Sequence, residues 1–475
     1  MRFRLNLAVA VMAASLAVLG PVRAQAETLA DTLVAAYRSS NLLEQNRALL
    51  RATDEGVVQA RAALLPVVNF TTNAMAGHTR GGRAPGSSRS LGAGLDLRIT
   101  LFDFGQGRLG IEAAREQVLS VRAGLIEVEQ MVLLGAVEAY LNVVSSRDTV
   151  ALRRSNLELI RQELRAARER FELGDSTRTD VAIAEARLAA AQSALAAAEG
   201  DFNVARESFN LAVGRYPGAL TAAPRLPRLP GALQTALDSS RANHPAILQA
   251  QHQVTVADLQ VQQAQASRLG SVDGSLGVGV NRSRGVSTAS DVTASIGWGV
   301  PLYAGGAIAS QQRQAIAQQD RQRATLHQTV AQIHQAAAQS WAQLAVARAQ
   351  LAASATQISA AQSAYEAVRA EAEFGSRTTL DVLNAEQELL DARSNRIMAS
   401  AQVQLASYAL LEAMGQLTVE ALNLGIPTYD VEAYSAGFTR WGGRVEPATR
   451  AAPSEQGQRL DRIMGRAPGG ANRGP

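Results

Sequence analysis

From Leu91 to Leu101 the chain alternates strictly between apolar and polar or small positions. Leu91, Ala93, Leu95, Leu97, Ile99 and Leu101 interleave with Gly92, Gly94, Asp96, Arg98 and Thr100, which is the two-residue period of a strand with one apolar face. The pattern recurs in Val292, Ala294, Ile296, Trp298, Val300 and Leu302, set against Thr293, Ser295, Gly297, Gly299 and Pro301. A weaker strand precedes each, at roughly 67–76 and 271–280, joined through the turn-rich HTRGGRAPGSSRS and NRSRGVSTASD. Two hairpins, four strands in all, are predicted.

Downstream of each hairpin the period becomes helical. No proline interrupts Gly105 to Leu173, and these 69 residues would span about 100 Å as one helix. Near its end Leu157, Ile160, Leu164, Ala167 and Phe171 recur at coiled-coil spacing. Gly174 and Gly375 are placed to break the helices, and return helices run on to Gly214 and Gly415.

A shift of 201 residues lays the two halves on each other. Gly174 falls on Gly375, Arg168 on Arg369, Leu188 on Leu389, Tyr140 on Trp341, and the seam residues on Ile358, Ala361, Tyr365, Val368 and Ala372. The body is therefore one unit made twice, with a first repeat over 27–225 (a helix, two strands, a long helical hairpin) and a second over 226–441.

Each repeat carries the same motif after its breaking glycine: GDSTRTDVAIAEARL at 174–188 and GSRTTLDVLNAEQEL at 375–389. Thr177 with Asp180, and Thr378 with Asp381, have capping-box spacing for the return helix. If copies of the chain surround an axis, the same aspartates become a ring of carboxylates and a cation-selective constriction.

The N-terminal segment 1–26 has a basic start at Arg2 and Arg4, an apolar run from Leu5 to Leu19 and a small-residue cleavage site at Ala24-Gln25-Ala26, the layout of a secretory signal. Loss of Arg2, Arg4 and Arg23 takes the formal charge of +4 to +1. The remaining basic excess sits in a Gly/Pro/Arg-rich tail, 442–475, of disordered composition, so the high pI does not point to nucleic acid. The chain has no cysteine and no lysine, which removes disulfides, thiolate metal sites, P-loops and Schiff-base chemistry. His327 and His334 are spaced as a solvated or interface pair rather than a metal site, and Asp103 as a local cap. We expect no enzyme activity, no cofactor and no metal.

Strands of about ten residues in an exported chain suit a tilted membrane crossing, with Leu95, Leu97, Ile296 and Trp298 facing lipid. Four strands cannot close a barrel, so membrane strands of this kind imply an oligomer. The fold class expected is a membrane β-barrel plus a long α-helical barrel, internally duplicated and closed only as a trimer.

Several stretches resemble the TolC family of outer-membrane export channels: ITLFDFGQGRLGIEAAREQ and GVPLYAGGAIASQQRQA at the strand-to-helix junctions, RERFELG at the first tip, GSRTTLDVLNAEQELLDAR at the second, and LLEAMGQLTVEALNLGIPTYD after the last helix. The resemblance spans about residues 28–441. It implies a homotrimer forming a barrel in the outer membrane and a tunnel across the periplasm. It also implies a passive duct served by a periplasmic membrane fusion (adaptor) protein and an inner-membrane ABC or RND transporter, in type I protein secretion, multidrug efflux or both. At the periplasmic tip it implies gate links through Asp180 and Arg377, and an acidic ring at Asp381. Asn384 stands where a second acid is usual, and Ala372 replaces an aromatic residue. A periplasmic coiled-coil adaptor or scaffold of an export complex is the alternative, and it would lack paired membrane strands.

Overall fold

The structure is a computed structural model that describes residues 26–79, 86–174, 176–221, 224, 226–283, 288–431 and 434. The expected signal, apart from Ala26, the expected tail and the ends of both strand hairpins lie outside these residues. The first half contains α1 (Leu29–Ser39), α2 (Asn41–Ala62), β1 (Val67–Thr79), β2 (Gly86–Phe102), α3 (Gln106–Glu172) and α4 (Arg178–Val213). The second contains α5 (Leu233–Asn243), α6 (Pro245–Ala266), β3 (Ser271–Ser283), β4 (Ala289–Gly299), α7 (Ala307–Glu373) and α8 (Thr379–Ala413). Both α1 and α5 have 11 residues, α2 and α6 have 22, and α3 and α7 have 67.

Each half thus opens with two helices where the sequence reading anticipated one. The breaks are local: Ser40 caps α2 by accepting from the Leu43 N–H, and His244 caps α6 with Pro245 at its first position.

The four strands form one antiparallel sheet in the order β1-β2-β3-β4. Phe70, Leu95, Val278 and Val292 stand in one cross-strand row, and Val68, Leu97, Leu276 and Ala294 in the next but one. Directly opposed residues share a face, so these rows make one face apolar. Ile296 and Trp298, opposite Gly274 and Val272, lie on it too. The row between is Asn69, Asp96, Gly277 and Thr293, and the next is Thr71, Gly94, Gly279 and Asp291, so the other face is polar and rich in glycine. The apolar face is open, with Ile296 76% and Phe70 70% exposed. Strands run to 13, 17, 13 and 11 residues rather than about ten. β4 stops at Gly299, short of Val300 and Leu302, because Pro301 has no N–H to continue the ladder. Among the described residues β1 pairs only with β2, and β4 only with β3.

Below the sheet α4 lies against the far half of α3, α8 against α7, and α6 along both α3 and α7. Ala184, Ala191, Ala198 and Ala205 bury at seven-residue intervals along α4, which lets two backbones approach closely over a straight seam. By length and composition α4 is the one described helix able to cross a membrane, yet it lies along α3 with these four alanines buried in the seam. On α3 Leu157, Ile160, Leu164 and Ala167 are buried, whereas Phe171, at the end of the predicted seam, is exposed. On α7 Tyr365 and Ala372 are buried, with Ile358, Ala361 and Val368 packed beside them.

The largest core lies midway along the body. Tyr140, Phe209, Leu133, Leu410 and Met414 are fully buried there, and the Tyr140 hydroxyl donates to the Thr221 carbonyl at 2.6 Å. Glu27 closes this core through Arg215, with Nη2 to Oε1 at 2.6 Å, and by a parallel bridge to Leu220. Residues after α8 return to it, and the Val419 N–H donates to Glu129 at 2.7 Å.

One carboxylate is misplaced by ordinary rules. Glu386 of α8 is only 4% exposed; its Oε1 accepts from Asn156 of α3 at 2.6 Å, and its Oε2 has no partner. Burial pushes its pKa up from 4.5 to about 7, against the Asn156 hydrogen bond and with a further push from Glu163.

Two measurements follow. The folded chain holds the Glu386 proton more tightly than the unfolded one. The Glu386 contribution to stability is therefore that of a buried neutral acid: it is fully present below the usual carboxylate range, and about 3 kcal/mol of it is lost as pH rises to the folded value. Melting curves of the detergent-solubilised protein should show this loss between about pH 4.5 and 7, and Glu386→Gln should reduce the slope without abolishing it, because burial also raises Asp54, Glu127, Glu129 and Glu412; an unchanged slope would place the titration elsewhere. For the sheet, Leu97→Arg or Ile296→Arg should cost about 2 to 4 kcal/mol of membrane insertion, whereas Ser295→Arg on the polar face should be tolerated. Equal yields in the membrane fraction would contradict the assignment of faces.

Candidate functional site

The candidate site is the far tip of the helical body, where each long helix turns into its return helix. Helices α3 and α7 end because Gly174 and Gly375 take φ of 85° and 76°, left-handed values that a side chain resists. At the second tip the Gly375 N–H donates to Ala372 and the Ser376 N–H to Glu371, at 3.1 and 3.0 Å. Ala372, expected as a departure from an aromatic position, is buried and supplies one of these carbonyls.

The return helices start on paired capping boxes. The Asp180 N–H donates to Thr177 Oγ1 at 3.2 Å, and the Thr177 N–H donates back to Asp180 Oδ2 at 3.0 Å. Thr378 and Asp381 repeat both bonds at 3.2 and 3.0 Å. Asp180 also accepts from Ser176 at 3.1 Å. Thr28 with Asp31 forms a third box at the start of α1.

These bonds set the charge. The Thr177 hydroxyl, then its N–H, holds the Asp180 carboxyl below its ordinary pKa. For Asp381 the Thr378 N–H acts first and the hydroxyl second. Both aspartates are therefore anionic at neutral pH while they cap. Arg377 is raised further by its hydrogen bond to Glu371, Nε to Oε2 at 2.7 Å.

Within one protomer Arg377 thus engages its own hairpin, and Asp180 its own cap. The structure brings the predicted residues to the same end of the body, but pairs each locally. Links between the two hairpins lie further up. Arg187 of α4 donates to Asn384 of α8 at 3.0 Å, and Asn156 of α3 to Glu386 of α8. Sequence reasoning noted Asn384 only as a missing charge. No local pattern in the sequence pairs it with Arg187, since the contact joins the two repeats across space.

Asp103 is the local cap expected, accepting from the Gly105 and Gly107 N–H groups at 3.0 and 2.6 Å. His327 and His334 are exposed on α7. Among the described residues no three His, Cys, Asp or Glu side chains cluster as metal ligands.

Known proteins share this fold. The family model for outer membrane efflux proteins matches residues 33–215 and 236–416, the two repeats in turn. The outer membrane efflux protein BepC of Brucella suis is 36% identical, over 90% of this chain and 94% of its own. The alkaline protease secretion protein AprF of Pseudomonas aeruginosa is 26% identical, over 72% of each. The crystal structure of the outer membrane protein VceC from Vibrio cholerae shares the fold with a TM-score of 0.69, covering 82% of this chain and 96% of that one at 19% identity. With both repeats matched over most of their length, the chain belongs to the outer membrane efflux protein family, the TolC-like channels of the outer membrane.

Proposed function

We propose that this chain is the passive outer-membrane duct of a tripartite export system, and that it works as a homotrimer. The observation that carries the reading is the sheet: one face apolar, the other polar, with the outer edges of β1 and β4 open among the described residues and helices of 67 residues attached to one end. Three copies joined edge to edge would close a barrel with its polar face to the lumen, and the long helices would continue that lumen into the periplasm. The alternative, an adaptor or scaffold, has no use for an open apolar sheet. A periplasmic adaptor and an inner-membrane ABC or RND transporter would supply recognition and energy, leaving the duct no catalysis to perform. Relatives named for efflux and for protease secretion keep both cargo classes in view.

At the tip, the gate links would form when Asp180 of one hairpin meets Arg377 of another. Glu371 competes for that arginine at 2.7 Å, so closing the gate is an exchange of partners. The Arg187–Asn384 bond and the Asn156–Glu386 bond tie the two hairpins of one protomer above it, so they would move as a unit. The anionic Asp381 carboxylates would face one another across the opening and concentrate cations there.

Single-channel recording in planar bilayers tests the reading. Arg377→Glu should raise resting conductance severalfold, and Asp180→Arg in the same chain should partly restore closure. Glu371→Gln, which frees Arg377 from its own hairpin, should lower resting conductance. Unchanged conductance in Arg377→Glu would remove the gating role and leave capping as the motif's purpose. Asp381→Asn should leave the gate shut and weaken block by divalent cations; block equal to the native protein would place the cation site elsewhere.

A further inference from the structure

The apolar face of the sheet has two different ends. Between Leu101 and Leu91 on β2 lie ten residue steps, about 33 Å of strand and about 23 Å of height at a 45° tilt, close to the apolar band of a membrane barrel. The end nearest the helices carries Trp298, whose Nε1–H donates to the Leu269 carbonyl at 3.4 Å. The far end carries basic side chains. Arg282 stands opposite Leu91, Arg89 opposite Ala76 and His78 opposite Ser87.

Register puts these three on the apolar face. Leu91, opposite Ala74 and Arg282, belongs to the same alternate set as Leu95 and Leu97, and Arg89 is the next member outward. Arg89 and Arg282 are diagonal neighbours across the β2–β3 ladder, roughly 7 to 8 Å apart. Both are exposed, and among the described residues no ion pair engages either. Asp291, opposite Gly279, lies on the polar face. The sequence around them is one-signed: 67–95 contains Arg80, Arg83 and Arg89, and 274–290 contains Arg282 and Arg284, with no Asp or Glu in either stretch.

We propose that Arg89 and Arg282 bind the phosphate groups of outer-leaflet lipid headgroups, seating a phosphorylated glycolipid against the outside of the sheet. Arginine forks match phosphate oxygens in pairs, and basic residues beside an anionic membrane surface each add attraction. Leu91 beside Arg282, then Val280 and Leu95 in the next two rows inward on the same face, offer the acyl chains of the same molecule their surface, which a free phosphate ion could not use. Cations meant for cargo would project from the polar face instead. The inference rests on the outer-membrane placement and on the apolar face being the lipid side, and is independent of gating.

The test uses the full-length protein in detergent, with bound lipid read by native mass spectrometry. Bisphosphorylated lipid A should bind, and Arg89→Gln with Arg282→Gln should weaken it at least about tenfold. Dephosphorylated lipid A should bind weakly and equally to both proteins, and millimolar inorganic phosphate should not compete. The double variant should keep the oligomeric state and the conductance of the native protein, since neither arginine belongs to the duct or its gate. If it fails to assemble, Arg89→Lys with Arg282→Lys serves instead, and weaker but phosphate-dependent binding supports the paired-fork geometry. Undiminished binding of lipid A to whichever pair assembles, or competition by inorganic phosphate as effective as by lipid, would overturn the proposal.

Discussion

A strand edge in hydrocarbon leaves its N–H and C=O groups without partners, at several kcal/mol each. Among the described residues β1 and β4 each leave one edge open. No rearrangement within the chain can satisfy both, because four strands are too few to curl shut. The apolar face adds the same demand from another direction: Phe70, Leu91, Ile296 and Trp298 are more than half exposed and need a nonaqueous solvent. Membrane and neighbouring copies together answer both needs, and this is the physical ground of the trimer proposed above.

Duplication then follows as economy of construction. Two halves with helices of equal length deliver two strand hairpins to one sheet and two helical hairpins to one tip. Their differences are local and polar. Asn384 receives a hydrogen bond from Arg187 across the hairpins, while Arg377 holds Glu371 in its own hairpin. Half-exposed pairs such as Arg377 with Glu371 lose little on exchange because water screens both partners. The proposed gate needs links of that kind, and the Thr–Asp boxes would keep the return helices intact while partners change.

In the proposed duct the tip aspartates would hold two tasks without conflict. Capping uses the Oδ2 of Asp180 and of Asp381 and favours the ionised form, so the bonds that begin each helix also secure the negative charge a cation constriction requires. Glu386, a little over one turn beyond Asp381, shows the contrary case, where burial with one unpartnered oxygen holds a carboxyl near neutrality.

Alternation from Leu91 to Leu101, the proline-free run to Leu173, the glycines at 174 and 375 and the Thr–Asp spacing are all local signals. The sequence by itself determined the strands, the long helices, their turns and the twofold repeat. It missed the break between α1 and α2, where one cap at Ser40 splits a continuous helical pattern, and it ran β4 past a proline. Side-chain partnership was not legible. In alanine-rich helices with few aromatic residues, one face looks much like another, so nothing in the sequence marks Glu386 as buried or Arg187 as the partner of Asn384. Only the tertiary structure, by fixing which helices lie side by side and at what register, decided those contacts, because interactions across hundreds of residues depend on distances in space that periodicity does not encode.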